Sequence, residues 1–208
     1  PLGFVVPLEN GCPWMDFAAN LSEIERKKQG IESSIFKISD KHFEIGLQAL
    51  KKLNLPNDAW YVTLHVREPG YRGISGESSV STLFNANPID YIKACKAITM
   101  AGGWVFRMGD PSMTKLPKMN GVIDYAHHNI KSEWMDVFLA ATCRFCIGTS
   151  SGYFRIPRYF GVPVISTNVS NGAEYYSFRE NDLVLPRLIK GANNKFLSFQ
   201  DYMLLRSK

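Results

Sequence analysis

Two periodicities alternate along the chain. Over residues 40–53, Phe43, Leu47 and Leu50 recur at helical spacing, and Lys51 and Lys52 close the stretch where cations favour the helix dipole. Asn54 and Pro56 stop it. Residues 60–66 (WYVTLHV) then form a short apolar run that predicts a buried strand. A Ser/Gly-rich loop to about Asn85 separates it from a helix over residues 88–101, with Pro88 in its first turn and Ile89, Ile92, Cys95 and Ile98 as its stripe. The pattern repeats. Strands are expected at Trp104–Met108 and over residues 122–125, followed by a helix capped by Ser132, with Glu133 and Asp136 in its first turn. Phe145, Cys146 and Ile147 give a fourth strand that breaks at Gly148. Residues 162–166 and 183–185 give two more, and a helix near residues 198–205 closes the chain. An earlier helix is expected over residues 15–29.

Strands alternating with helices of this length predict an α/β fold, a Rossmann-like parallel sheet with flanking helices and right-handed crossovers. The best boundary lies near Asn57. Residues 1–56 read as a linker or the tail of a truncated amino-terminal domain, and residues 57–208 as the α/β domain.

The segment that organises this pattern is CRFCIGTSSGYFRIPRYFGVPV, residues 143–164. A strand running into Thr149, Ser150, Ser151 and Gly152 before a helix offers backbone N–H groups at the strand's carboxyl end, a ready site for phosphate. It is no P-loop, because no Gly-Lys-Ser/Thr follows. Pro157 disfavours helical geometry at Ile156, so the helix is expected to begin late or to kink, leaving the turn's own amides as the donors.

In an open α/β sheet the ligand lies outside the carboxyl ends of the strands. The first strand is followed by His65, Arg67 and Arg72, the second by Arg107, Gly109 and Asp110, the third by His127 and His128, and the fourth by the 149–152 turn. Cations or N–H donors at three strand ends, with one carboxylate beside them, suit a phosphorylated ligand with a polar portion. Arg67 is the strongest single choice, because arginine grips a diphosphate bidentately; its rival role is a salt bridge with Glu68. His65 either shuttles a proton, holds the ligand or is structural. Arg107 either reaches phosphate or pairs with Asp110. Asp110 either accepts from a sugar hydroxyl or shapes the turn. The adjacent His127 and His128 diverge, and Arg155 and Arg158 suit a solvated helix face.

Composition narrows the ligand. The chain has 208 residues, 45% hydrophobic and 21% charged, with net charge +5 and pI near 9.0. A mild basic excess suits a polyanion, a phosphorylated small molecule or an anionic membrane surface, and without a dense Lys/Arg block a nucleic-acid groove is the weaker option. No run of about 18 apolar residues is present to span a membrane. No signal peptide is evident and the chain opens at Pro1, which reads as a fragment of a longer protein; the expected location is the cytoplasm, with peripheral association at the inner membrane face. The four cysteines, Cys12, Cys95, Cys143 and Cys146, are expected to be reduced thiols. The Cys143/Cys146 pair borders a strand, where positions three apart face opposite ways, so it is assigned to the core and no metal is expected.

Several motifs in order resemble a family of bacterial glycosyltransferases associated with surface polysaccharide loci. They are WYVTLHVRE at 60–68, GWVFRMGDP at 103–111, VIDYA at 122–126, KSEWMDVFL at 131–139, IGTSSG at 147–152, FGVP at 160–163 and DLVLPR at 182–187. The similarity covers roughly residues 40–205. His65, Val66 and Arg67 also resemble, more distantly, the His-x-Arg motif of fucosyltransferase-like enzymes. The resemblance implies a two-domain enzyme of GT-B type whose carboxyl-terminal half binds a nucleoside-diphosphate sugar. Such enzymes generally need no metal or other cofactor. It implies that Arg67 contacts the diphosphate and that Thr149, Ser150 and Ser151 donate to it. The expected reaction is sugar transfer to a glycan or lipid-linked acceptor. The rivals are a nucleotide-sugar epimerase or hydrolase, and a non-catalytic nucleotide-binding module.

Overall fold

The computed structural model describes residues 34–53, 55–56, 58–69, 84–169, 181–191, 193–198 and 200–201. The expected helix over 15–29, Cys12 and Arg72 lie outside these residues, as does all but residues 200 and 201 of the expected closing helix.

Six strands form one sheet: β1 (Tyr61–His65), β2 (Trp104–Met108), β3 (Val122–Ile123), β4 (Cys146–Gly148), β5 (Val164–Val169) and β6 (Leu183–Pro186). Their order is β3-β2-β1-β4-β5-β6 and every pairing is parallel. This is the Rossmann order, in which the chain winds outward from β1 in one direction and from β4 in the other. The α-helices whose bounds lie among the described residues are α1 (Asp40–Lys51), α2 (Ile92–Met100), α3 (Glu133–Thr142) and α4 (Gly152–Tyr159).

All five residues of β1 are buried, which is why its sequence reads as a continuous apolar run rather than an alternating one. Alternate side chains serve two cores. Val62, Leu64 and Val66 join Cys95, Ile98 and Val105 in one, while Tyr61 packs with Phe106, Phe138 and Cys146 in the other. The second core also takes Ile38, Ala49, Leu50 and Leu53. So α1 lies before the expected boundary near residue 57 yet packs on the same core as the sheet.

Four local readings change. The helix expected from residue 88 opens as a 3-10 turn, Pro88–Tyr91, capped by Asn87, and becomes α-helical only at Ile92. The tighter winding turns Ile89 outward, to 42% exposure, so the buried stripe keeps Cys95 and Ile98. The third strand stops at Ile123, because the chain turns into a short 3-10 segment, Tyr125–His127. Cys143 is not a strand residue but the C-cap of α3, so both Cys143 and Cys146 enter the same core. Finally, α4 begins at Gly152 and runs through Pro157. The proline sits in the last turn, where its missing N–H costs one intrahelical bond rather than the whole helix. Among the described residues no helix is long and apolar enough to cross a membrane.

The α1–α3 contact yields a stability test. A Cβ at Gly46 would lie 2.1 Å from the Phe138 ring, itself only 1% exposed. Ala is the better helix former by about 1 kcal/mol, but overpacking of a tight core costs roughly 1–3 kcal/mol. Gly46→Ala is therefore expected to lower unfolding free energy in urea titration, and a stabilised variant would refute this packing.

Candidate functional site

The crevice of this sheet lies where the strand order reverses, between the carboxyl ends of β1 and β4. His65 pairs in register with Gly148 there. A Cβ at Gly148 would stand 2.8 Å from the His65 carbonyl oxygen, so only glycine lets the two strands meet. Thr149 then ties the loops together. Its N–H donates to the His65 carbonyl at 3.1 Å and its Oγ1 accepts the Arg67 N–H at 2.8 Å. Thr149 is fully buried. It is the fastener of the crevice, and Ser150, Ser151 and Gly152 form the part of the turn nearer solvent.

Ser151 is the N-cap of α4, its Oγ accepting the Phe154 N–H at 3.3 Å. The same oxygen lies 3.1 Å from Nδ1 of His65. The imidazole is held on its face as well, stacked on Tyr153 with ring centroids 5.1 Å apart. Burial first, and the Arg107 charge second, pull the His65 pKa down to about 4, so the ring is neutral near neutral pH. At the first position of α4, a Cβ on Gly152 would meet nothing within 4 Å. The Gly152 position itself is open, while the Ser151 side chain caps the helix amino terminus, where the partial positive charge of the dipole lies.

Arg67 is half-buried, with its guanidinium carbon 5.8 Å from the centroid of Phe84. Glu68 is engaged elsewhere: its carboxylate accepts from Arg107 Nη2 at 2.5 Å and from the Thr114 N–H at 3.0 Å. Arg107 is fully buried and its other carboxylate neighbour is Asp124, at 3.6 Å. Neither of the roles expected for Arg107 matches this placement. It is sealed beneath the strand ends instead of reaching outward, and its partners are Glu68 and Asp124 instead of Asp110. Asp110 shapes the turn after β2, its Oδ1 accepting the Ser112 N–H at 3.0 Å. Gly109 has φ +152, a conformation that favours glycine, and packs against Met113.

The two histidines after β3 fasten loops. His127 faces Asp124 through Nδ1 at 3.0 Å and the Pro111 and Met113 carbonyls through Nε2 at 3.2 and 3.1 Å. His128 Nδ1 accepts the Ile130 N–H at 3.3 Å. Arg158 pairs with Asp182 at 3.3 Å, and Arg155 is exposed. Among the described residues no group of three His, Cys, Asp or Glu is placed to hold a metal ion. Cys95, Cys143 and Cys146 are buried free thiols, and desolvation raises the Cys143 pKa to about 11. The geometry thus brings together His65, Arg67, Ser150, Ser151 and Gly152, and puts Arg107, Gly109, Asp110 and Thr149 in supporting positions. Sequence reasoning missed Tyr153, whose signal was its place two residues after Ser151. It also missed Glu68 as a partner of Arg107, since a neighbour in sequence is the obvious partner for Arg67.

Among solved structures, the chain is similar to the glycosyl transferase family 9 protein from Veillonella parvula DSM 2008. The TM-score is 0.52 at 11% identity, over 84% of this chain and 46% of that one. It is also similar to E. coli ADP-heptose lps heptosyltransferase II, with a TM-score of 0.46 at 9% identity, over 83% of this chain and 54% of that one. No protein-family model matches the chain, and no curated protein matches it. At such identities the likeness is one of fold. The Rossmann-like α/β class expected from the sequence holds, and the chain spans about half the length of these two structures.

The neutral, buried His65 makes stability pH-dependent. Its folded pKa, about 4, lies below the ordinary value of 6.5, so the unfolded chain takes up its proton first as pH falls. Stability is full above about pH 6.5 and is lost towards pH 4, by roughly 3 kcal/mol from this residue alone. Denaturant titration at pH 7 and pH 4.5 should show the parent losing about 2 kcal/mol more than His65→Gln; equal losses would exclude a buried neutral imidazole.

Proposed function

We propose that this chain is the nucleotide-sugar-binding half of a glycosyltransferase that moves a sugar from a nucleoside-diphosphate donor to a glycan or lipid-linked acceptor. The observation that carries this reading is the crevice between β1 and β4. There the Arg67 backbone is tied to Thr149, and the 150–152 turn leads into α4, within a fold like half of a glycosyl transferase structure. Three features support a diphosphate ligand: an arginine after β1, backbone N–H groups in the turn after β4, and the amino terminus of the helix that follows it.

In this reading the glycosidic bond to the diphosphate breaks as the acceptor oxygen attacks the sugar carbon. Charge develops on the leaving diphosphate, and Arg67 and the amides of the 150–152 turn take it up, the electrostatic mode of catalysis. His65 holds the ligand by hydrogen bond. With a pKa near 4 it is a weak base, so this role fits it better than proton abstraction from the acceptor. Arg72 belongs to the same reading as a further donor-binding cation following β1. The rest of the enzyme, in the part of the neighbours that this chain does not span, supplies the acceptor side and the base. The enzyme works in surface polysaccharide synthesis, in the cytoplasm or bound peripherally at the inner membrane face.

The test is calorimetry with nucleoside diphosphates. Arg67→Ala should weaken binding at least tenfold, about 1.4 kcal/mol; unchanged affinity removes Arg67 from the donor site. For the longest natural form, incubation with a panel of nucleotide sugars should release nucleoside diphosphate only when acceptor is present. Release without acceptor, or epimerised sugar, would replace transfer by hydrolysis or epimerisation.

Gly152 separates binding from stability. Gly152→Ala puts a methyl group into open space at a helix start, so stability should hold or rise by up to about 1 kcal/mol. Diphosphate affinity should fall about fivefold, on the order of 1 kcal/mol, because the methyl stands before the helix amides. A stable variant with parental affinity would move the ligand away from this helix start.

A further inference from the structure

We propose that Glu68 and Arg107 form a buried positioning pair that sets the direction in which Arg67 meets the ligand. This rests on the reading of Arg67 as a diphosphate contact. Glu68 directly follows Arg67, and its side chain is 6% exposed while that of Arg107 is 0% exposed. Val66 and Glu68 are buried, and Arg67 between them is half-buried at the crevice. Glu68 is drawn under the strand ends by two contacts, Arg107 Nη2 at 2.5 Å and the Thr114 N–H at 3.0 Å. Arg107 itself cannot shift easily, since it lies within β2, in register with Leu64 of β1.

The backbone of Arg67 is fixed on both sides as well. Its N–H donates to Thr149 Oγ1 at 2.8 Å and its carbonyl accepts the Ala86 N–H at 2.9 Å. Three anchors therefore meet around one residue, and they come from three places: the β4 end, the start of the segment before α2, and β2. A long cationic side chain loses much freedom on binding, and holding its base in place reduces that loss.

Stability alone gives little reason for this arrangement. A buried ion pair is commonly no better than well-packed apolar residues of similar volume. Arg107 Nε and Nη1 make no hydrogen bond among the described residues, so the guanidinium is incompletely satisfied where it lies. What the pair does provide is a fixed direction for the loop that carries Arg67.

The experiment is a double-mutant cycle on the full chain, with ADP, GDP, UDP and dTDP as probes in calorimetry. Glu68→Gln keeps the side-chain shape and removes the charge. It should weaken binding of the preferred diphosphate at least fivefold in the parent and less than twofold when Arg67 is already Ala. A general structural effect would weaken both backgrounds equally. Equal losses, or no loss in either, overturn the positioning role and leave the donor-site reading standing. If no probe binds the parent, the donor-site reading fails and this inference with it. Should Glu68→Gln fail to fold, the paired replacement Glu68→Gln with Arg107→Met removes both buried charges together, and the same cycle with Arg67→Ala decides. Thermal unfolding of each variant shows that the proteins compared are folded.

Discussion

Everything at the carboxyl edge of this sheet depends on how β1 and β4 meet. β1 is paired on both sides, to β2 and to β4, and all its residues are buried. The order of strands reverses at this seam, which is where an open α/β sheet places its ligand. Keeping the seam tight requires a glycine at position 148, and Thr149 bridges the two loops by one backbone and one hydroxyl bond. The same few residues that close the seam also start α4. Ser151 caps it and reaches His65, so strand end, turn and helix start form one continuous hydrogen-bonded unit.

The charges around that seam are arranged in depth. Arg107, Glu68, Asp124 and His127 are linked below the strand ends, where opposite signs meet at short range. Arg67 and the amide donors lie nearer the crevice. The net charge of +5 spread over the chain is a weak guide to such a site, because exposed charges beyond about 8 Å are screened at physiological salt. Local donors at fixed geometry, rather than the overall basic balance, therefore decide what anion the crevice prefers. The buried Arg107 also acts upward on His65, adding to desolvation in favouring its neutral form.

The strands were the most legible part of the sequence. Trp104–Met108 agrees residue for residue with its expectation, because a strand buried on both faces reads as an uninterrupted apolar run between breaks. The N-cap Ser132 follows from equally local chemistry. What was not legible depends on where side chains go in three dimensions. Arg107 ends a strand, and nothing in a linear pattern tells whether such an arginine reaches out or is enclosed. Glu68 next to Arg67 invites the neighbour pairing, and its true partner lies 39 positions away. Pro157 argued for a late helix, but a proline in the last turn of a well-capped helix costs too little to delay its start. Cys143 was read with the strand because the end of α3 carries no glycine or proline to mark it.

Elsewhere the chain follows ordinary rules. α1 and α3 carry serine caps and apolar stripes, and the two cores are filled by aliphatic and aromatic side chains. Apart from Gly46 within α1 and Pro157 within α4, the departures collect at one edge. His65 is buried at the cost of its charged form, Arg107 is enclosed with two nitrogens unsatisfied, and Gly152 begins a helix where alanine would be favoured by about 1 kcal/mol. Each feature costs stability, through desolvation, unmade hydrogen bonds or helix propensity, and all three border the crevice or the network beneath it. Local rules are broken together, in natural proteins, chiefly where function compensates. Their convergence on the β1–β4 seam is therefore an argument for the location of the site that is independent of fold likeness, which by itself identifies no ligand.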